Sequence, residues 1–260
     1  MEEYFEIDKI KLRVSAFVYR VLSFDAQVFG FCKKDGSPNL NAMLNIVIPA
    51  MFELRRIRRE NMYAALEKNN TDLGDTDIEE IQAIIDQVVD QVYFSEESLC
   101  LLEHEIWLRP TASARGVFED IIATELPYVN LPLSSCLRDM LNEYCKLPQY
   151  KREQVVFQDE LHYFIDACKG GDELRITLEE QVVTGIPLDY IYGFLLDQKT
   201  YMLLFDVAEN KIIAFLLREI CDIRATLKSY DLAPAVFTRL QEIIDNRLFL
   251  KHNVFDVSAT

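Results

Sequence analysis

The chain has no run approaching the roughly 20 apolar residues that a membrane helix requires, although 50% of its 260 residues are apolar. Its six cysteines (Cys32, Cys100, Cys136, Cys145, Cys168, Cys221) never fall as C-x-x-C, and its three histidines are scattered. A structural zinc site needs four ligands in paired short spacings, so neither a metal nor any other cofactor is expected. Reduced, mostly buried thiols are the expectation instead. No paired carboxylates, no nucleophile beside a base and no ligand set stand out, which argues against an enzyme. No lysine-bearing phosphate loop follows Gly170-Gly171, which reads as a turn. The N-terminus, Met1-Glu2-Glu3-Tyr4-Phe5-Glu6, is acidic where a secretory signal would be basic and then apolar. The expected protein is soluble and cytoplasmic.

Positive charge is scarce overall but concentrated. The net charge is −16, which excludes indiscriminate attraction to nucleic acid. Residues 9–70 nevertheless hold 11 Lys/Arg against 5 Asp/Glu. A basic head on an acidic body can present a phosphate-binding face while the body repels wrong orientations.

Lys9-Ile10-Lys11-Leu12-Arg13-Val14 alternates basic and apolar residues, so a strand would put Lys9, Lys11 and Arg13 on one face. Ser15 then caps a helix to about Phe29, stopped by Gly30. Cys32-Lys33-Lys34-Asp35-Gly36 reads as a turn, and Ser37-Pro38 opens a second helix. That helix runs past Pro49, through Arg55-Arg56-Ile57-Arg58-Arg59, to Asn69-Asn70. Glu105–Thr111 repeats the alternation, with Ile106, Leu108 and Pro110 in phase with Ile10, Leu12 and Val14. A helix over Ala112–Glu125, a turn over Pro127–Pro132 and a helix over Ser134–Leu147 follow, as in a diverged internal repeat. Between the copies, Thr76-Asp77-Ile78-Glu79 is a capping box opening a helix with Ile78, Ile81, Ile85 and Val92 on one face.

Strand, helix, turn, helix, with alternate basic residues on the strand, resembles the ribbon-helix-helix family. There two strands pair into a β-ribbon whose outward side chains enter a DNA groove. The resemblance implies base-reading positions at Lys9, Lys11 and Arg13, with Arg109 as the residual charge of the second copy. Lys33 and Lys34 join the nucleic-acid face, and Ser37, Asn39 and Asn41 fall where helix amides hold phosphate.

The bland readings stand beside these. Lys9, Lys11 and Arg13 could guard an edge strand against aggregation. Arg55–Arg59 could be a solvated helix face as readily as a phosphate track, and for Trp107 core or interface packing is the expectation ahead of stacking on a base.

Beyond residue 153 a helix over Phe157–Gly170 precedes short β-rich runs at Leu174–Leu178, Val182–Leu196, Thr200–Val207, Lys211–Leu216 and Cys221–Leu227. Asp197-Gln198-Lys199 and Ala208-Glu209-Asn210 read as hairpin turns. The pattern fits a small barrel of the Sm-like kind, and Pro234–Leu250 reads as a last helix. Pro187-Leu188-Asp189-Tyr190, Thr200-Tyr201-Met202-Leu203-Leu204 and Phe215-Leu216-Leu217-Arg218-Glu219-Ile220 resemble the words of a WYL domain. Thr200 and Met202 stand where that family has Trp and Leu, and Leu216 where it has arginine. The resemblance implies a pocket for nucleotide or nucleic acid using Tyr190, Tyr192, Lys199, Tyr201, Arg218 and Arg224; ordinary strand packing is the alternative for the tyrosines.

The expected fold is therefore α+β. A helical region holds two ribbon-helix-helix-like units (1–70 and, with a helical connector, 71–152), which could pair as an intrachain pseudo-dimer. A five-stranded WYL barrel (153–230) and a C-terminal helix and tail (231–260) follow. The combination resembles the WYL accessory proteins of type VI-D CRISPR loci, which implies binding of single-stranded RNA and modulation of the RNA-guided RNase encoded beside them. The alternatives are a transcription regulator that reads duplex DNA and senses a ligand, and a dimerisation module that binds no nucleic acid. A homodimer is expected, because one basic strand is more useful doubled.

Overall fold

The computed structural model describes residues 9–69, 102–124, 132–192 and 199–230. The predicted helices over 78–92 and 234–250, the turn over 127–131 and the side chain of Tyr192 lie outside the described residues. The chain divides into two compact units, Met1–Lys146 and Leu147–Thr260. Among the described residues it is a mixed structure of six helices, a two-stranded ribbon and a five-stranded antiparallel sheet.

The first unit begins with β1 (Ile10–Val14), whose burial alternates as its sequence does. Ser15 accepts the amide of Val18 at 3.3 Å and so caps α1 (Ala16–Val28). Gly30, at φ +83°, follows the end of this helix. The second helix starts later than Ser37-Pro38 implies: α2 is Leu40–Asn69, and Asn39 Oδ1 caps it on the amide of Ala42 at 3.2 Å. The displacement has a local cause. Asp35 Oδ1 accepts both the amide (3.0 Å) and the hydroxyl (2.7 Å) of Ser37, and Pro38 forms a bridge with Cys32. Ser37 is thus held in the turn. Pro49 lies inside α2, as expected.

The second strand, β2 (His104–Leu108), leads into α3 (Ala112–Thr124) and α4 (Leu133–Lys146). Thr111 takes the capping place that Ser15 has in the first copy, accepting the amide of Ala114 at 3.3 Å. β1 and β2 pair antiparallel within the one chain, in the register Ile10↔Leu108, Leu12↔Ile106 and Val14↔His104. The two copies exchange contacts: α2 packs on β2, α4 packs on β1, and α2 packs on both α3 and α4. Leu12, Val14, Leu108, Leu44, Ile48, Phe118, Leu137 and Met140 are fully buried in this core. Neither strand could bury its apolar face without the other copy's helices. The Tyr144 hydroxyl donates to the buried Asp25 at 3.0 Å, joining α4 to α1.

The second unit opens with α5 (Gln149–Val156), which the sequence pattern does not distinguish, and α6 (Gln158–Gly170), ended by Gly171 at φ +66°. Five strands follow: β3 (Asp172–Leu178), β4 (Val182–Tyr192), β5 (Thr200–Asp206), β6 (Lys211–Leu216) and β7 (Ile220–Ser229), with a 3₁₀ turn at Leu217–Glu219 before β7. Their order in the sheet is β6-β5-β4-β3-β7. The expected closed barrel is not what forms: among the described residues the sheet is open, with β6 and β7 at its edges. Closure requires the edge strands to share a ladder, whereas the turn at Leu217–Glu219 carries the chain across to pair β7 with β3. Leu161, Phe164 and Ala167 of α6 cover one sheet face through Leu174, Ile176, Met202, Leu204 and Phe215. Gly185 lets β4 and β5 approach, since a Cβ there would lie 2.3 Å from the Phe205 carbonyl oxygen.

Candidate nucleic-acid interface

Strand alternation sets the outward face of the ribbon. Ile10, Leu12 and Val14 point to the core together with Ile106 and Leu108, so Lys9, Lys11 and Arg13 emerge beside Glu105, Trp107 and Arg109, and all six are exposed. Lys11 is directly opposite Trp107, and Arg13 opposite Glu105. The Lys11 ammonium meets the Glu105 carboxylate at 2.6 Å. That hydrogen bond, reinforced by the nearby Arg13, holds the Glu105 carboxyl below its ordinary range. The face therefore carries four cations, one anion and an indole.

Trp107 is 44% exposed at the centre of this face. The Lys9 ammonium lies 3.6 Å from its ring centroid and that of Lys11 lies 5.4 Å away. Both are within cation–π range. Trp107 is therefore not part of the core, and its neighbours on this face are the charged side chains of Lys9 and Lys11.

The strand ends are fixed by a pair of matching contacts. Asn45 of α2 donates from Nδ2 to the Arg109 carbonyl at 3.0 Å, and Arg138 of α4 donates from Nε to the Arg13 carbonyl at 2.9 Å. Asn45 and Arg138 occupy the same position counted from the start of their helices, and Arg13 and Arg109 are equivalent in the repeat. Each copy's second helix thus holds the other copy's strand at the last outward arginine.

The remaining residues marked from sequence for this face separate. Lys33 and Lys34 lie exposed on the turn before α2. The Ser37 hydroxyl is bound to Asp35, Asn39 caps α2, and Asn41 Oδ1 accepts the Arg109 amide at 2.7 Å. These three polar groups are taken by the turn, the cap and the link to β2. In the basic run, Arg55 bonds Asp139 at 2.6 Å and Glu143 at 2.9 Å, Arg58 also reaches Glu143, and Arg56 lies between Glu53 and Glu60. These three arginines of the run are engaged with carboxylates of α2 and α4. The Asn41–Asn45 clamp was not found by sequence reasoning; its only signal was the i, i+4 spacing of two asparagines.

In the second unit the described residues that the WYL resemblance marks are spread over both faces and the ends of the sheet. Tyr190 faces Met202 and packs against the α6-side core, while Tyr201 faces Ile191 on the opposite side of the sheet. Lys199 directly precedes β5, Arg218 is half-buried in the 3₁₀ turn, and Arg224 is exposed on β7, 2.7 Å from Asp222. The unit does contain a cavity of about 540 Å³, lined by residues that include Glu173, Gln181, Asp206, Lys211, Lys228 and Tyr230. None of the residues marked from sequence lines it.

With this geometry in view, comparison with solved structures shows a likeness in fold. The fold matches a CRISPR Cas-related protein. That crystal structure superposes with a TM-score of 0.67 over 89% of this chain at 13% identity. The chain spans 65% of that protein's length. Proteasome accessory factor B/C of Arthrobacter aurescens aligns over 49% of the chain and 22% of its own, at TM-score 0.25 and 12% identity, too low to carry an argument. No protein-family profile matches the chain, and no curated protein matches it in sequence.

Proposed function

We propose that this chain is a nucleic-acid-binding accessory protein of an RNA-guided CRISPR system, that it binds single-stranded RNA through its β-ribbon, and that it modulates a type VI-D RNase. The observation that carries the reading is the outward ribbon face: Lys9, Lys11, Arg13 and Arg109 around one exposed indole, on a molecule whose net charge is −16. A concentrated cationic strip on an acidic body binds phosphate in one orientation. The likeness to a CRISPR Cas-related protein supports the setting.

The first unit reads as a ribbon-helix-helix pseudo-dimer completed within one chain. Supporting features are the β1–β2 ladder, the exchanged packing of α2 and α4, and the matched contacts to the Arg13 and Arg109 carbonyls. The second unit reads as a WYL domain of Sm-like topology. Support comes from its leading helix, the strand order β6-β5-β4-β3-β7 and the 3₁₀ turn before β7. A homodimer, if formed, joins two finished ribbons and does not complete one.

A second reading is duplex-DNA regulation, since a two-stranded ribbon with outward lysines and arginines suits the major groove. Its weakness is asymmetry: one half of the ribbon carries Lys9, Lys11 and Arg13 while the other carries Glu105, Trp107 and Arg109.

The test is binding of matched single-stranded RNA, single-stranded DNA and duplex DNA over a salt series, with wild type and Lys9→Ala/Lys11→Ala/Arg13→Ala. The triple variant should weaken RNA binding and reduce the log–log salt slope by about 0.7 for each phosphate it no longer neutralises. Addition of the wild-type protein to a purified type VI-D effector should then change its cleavage rate, and the triple variant should not. Preference for duplex DNA would replace this reading with the regulator, and absence of binding would overturn both.

A further inference from the structure

Resting on the nucleic-acid reading above, we infer that Trp107 is a stacking platform for an unpaired nucleobase, which makes the ribbon selective for single strands. Trp107 stands on the outward face, 44% exposed, opposite Lys11 and against the Lys9 ammonium. Leaving so large an apolar surface in water forfeits the stabilisation its burial would supply. Two ammonium groups already lie against the indole, so the ring sits where a polyanion's charges are drawn.

Base pairing decides which nucleic acid can use it. In a duplex the π-faces of the bases are covered by their neighbours, and a ribbon in the major groove meets only base edges. An indole at the ribbon centre can then gain little more than a methyl contact. In a single strand the base faces are available, and stacking on an aromatic side chain is tolerant of sequence. A base on Trp107 would displace the Lys9 ammonium toward the adjacent phosphate, exchanging a cation–π contact for a stack and an ion pair. Glu105, paired with Lys11 at 2.6 Å, adds a fixed negative charge beside the platform. It favours a flexible strand that can bend its phosphates toward Arg13 and Arg109 over a rigid duplex backbone.

Trp107 is the single tryptophan of the chain, so intrinsic tryptophan fluorescence reports on this ring alone. The full-length protein is titrated with one single-stranded RNA, the single-stranded DNA of the same sequence and the matched duplex DNA, reading fluorescence for wild type and anisotropy of labelled strands for Trp107→Ala and Trp107→Phe. The expected result is strong quenching by an unpaired strand and little by the duplex. Trp107→Ala should reduce affinity for the single strand by about 5- to 150-fold, with Trp107→Phe recovering most of it and duplex affinity unchanged for both. Equal response to RNA and DNA strands assigns the site to unpaired bases in general, whereas response to RNA alone adds recognition of the ribose; both support the proposal. Strand binding with unaltered fluorescence and an unaffected Trp107→Ala overturns the platform while leaving the ribbon as a phosphate binder. Equal quenching by the duplex also overturns it, and absence of all binding overturns the platform together with the function it rests on.

Discussion

Asn45 joins two stretches of chain that the sequence keeps far apart. It is 9% exposed, donates to the carbonyls of Asn41 and Arg109, and accepts the Thr111 amide at 2.8 Å. Asn45→Ala leaves the Arg109 carbonyl and the Thr111 amide without this partner in a largely dehydrated place, where each such group costs about 1–3 kcal/mol. The expected outcome is a loss of about 2–3 kcal/mol in urea unfolding with an unchanged denaturant slope; a loss below about 0.5 kcal/mol would rank the clamp with ordinary surface substitutions. This is also where the sequence was least legible. Strand alternation exposes Lys9, Lys11 and Arg13 by local geometry alone, so their placement could be read directly. The partners of Asn41 and Asn45 depend on which distant carbonyl arrives at the helix, and no local pattern encodes that. Ser37 misled for a related reason: a good capping residue was claimed first by Asp35, two residues away.

At the scale of elements, α2 and α4 are joined by charge as well as by apolar packing. Arg55, with a side chain only 16% exposed, bonds Asp139 and Glu143, and Arg58 bonds Glu143. Partial burial opposes ionisation of the Glu143 carboxyl, but Arg55 and Arg58 outweigh it and hold its pKa below the ordinary value of 4.5. A carboxyl depressed in the folded state stabilises the fold above its unfolded pKa, and this contribution is lost as pH falls through the folded value. Wild type should therefore exceed Glu143→Gln in urea midpoint at neutral pH, and the gap should narrow as the solution is taken below about pH 4.5. A gap independent of pH would show that the Glu143 carboxylate contributes shape and not charge. The periodicity of these helices made their existence legible, and the boundaries of α3 and α4 fell within a residue of expectation. α5 escaped because its sequence, Gln149-Tyr150-Lys151-Arg152-Glu153-Gln154-Val155-Val156, has no clear apolar stripe; Glu153 is buried there with its carboxylate on the Thr200 amide at 2.8 Å. The barrel was over-read for the opposite reason: short β-rich runs show strands, but closure depends on which edges meet.

For the whole molecule, the decisive fact is that the ribbon closes within the chain. Where such a ribbon forms between two chains, the fold and its stability depend on protein concentration. Here β1 and β2 belong to one chain, and each strand's apolar face is covered by helices of the other copy. Folding of the first unit is therefore unimolecular, although the strands must find each other across a long stretch of sequence, which slows folding more than it reduces stability. The urea midpoint of the full chain should stay constant over a roughly hundredfold dilution. An interchain ribbon would instead lose about 2.7 kcal/mol over that range by mass action. In the proposed role of the ribbon as an RNA-binding face, the same property shapes what is recognised. A ribbon with unlike halves, basic on β1 and carrying Glu105 and Trp107 on β2, has no two-fold axis to match a palindrome, so one chain should engage one strand in a single direction. Light scattering of the saturated complex with a short single-stranded RNA should give equal numbers of ribbons and strands; one strand held between two ribbons would mean that the asymmetric face is only half of the recognising surface.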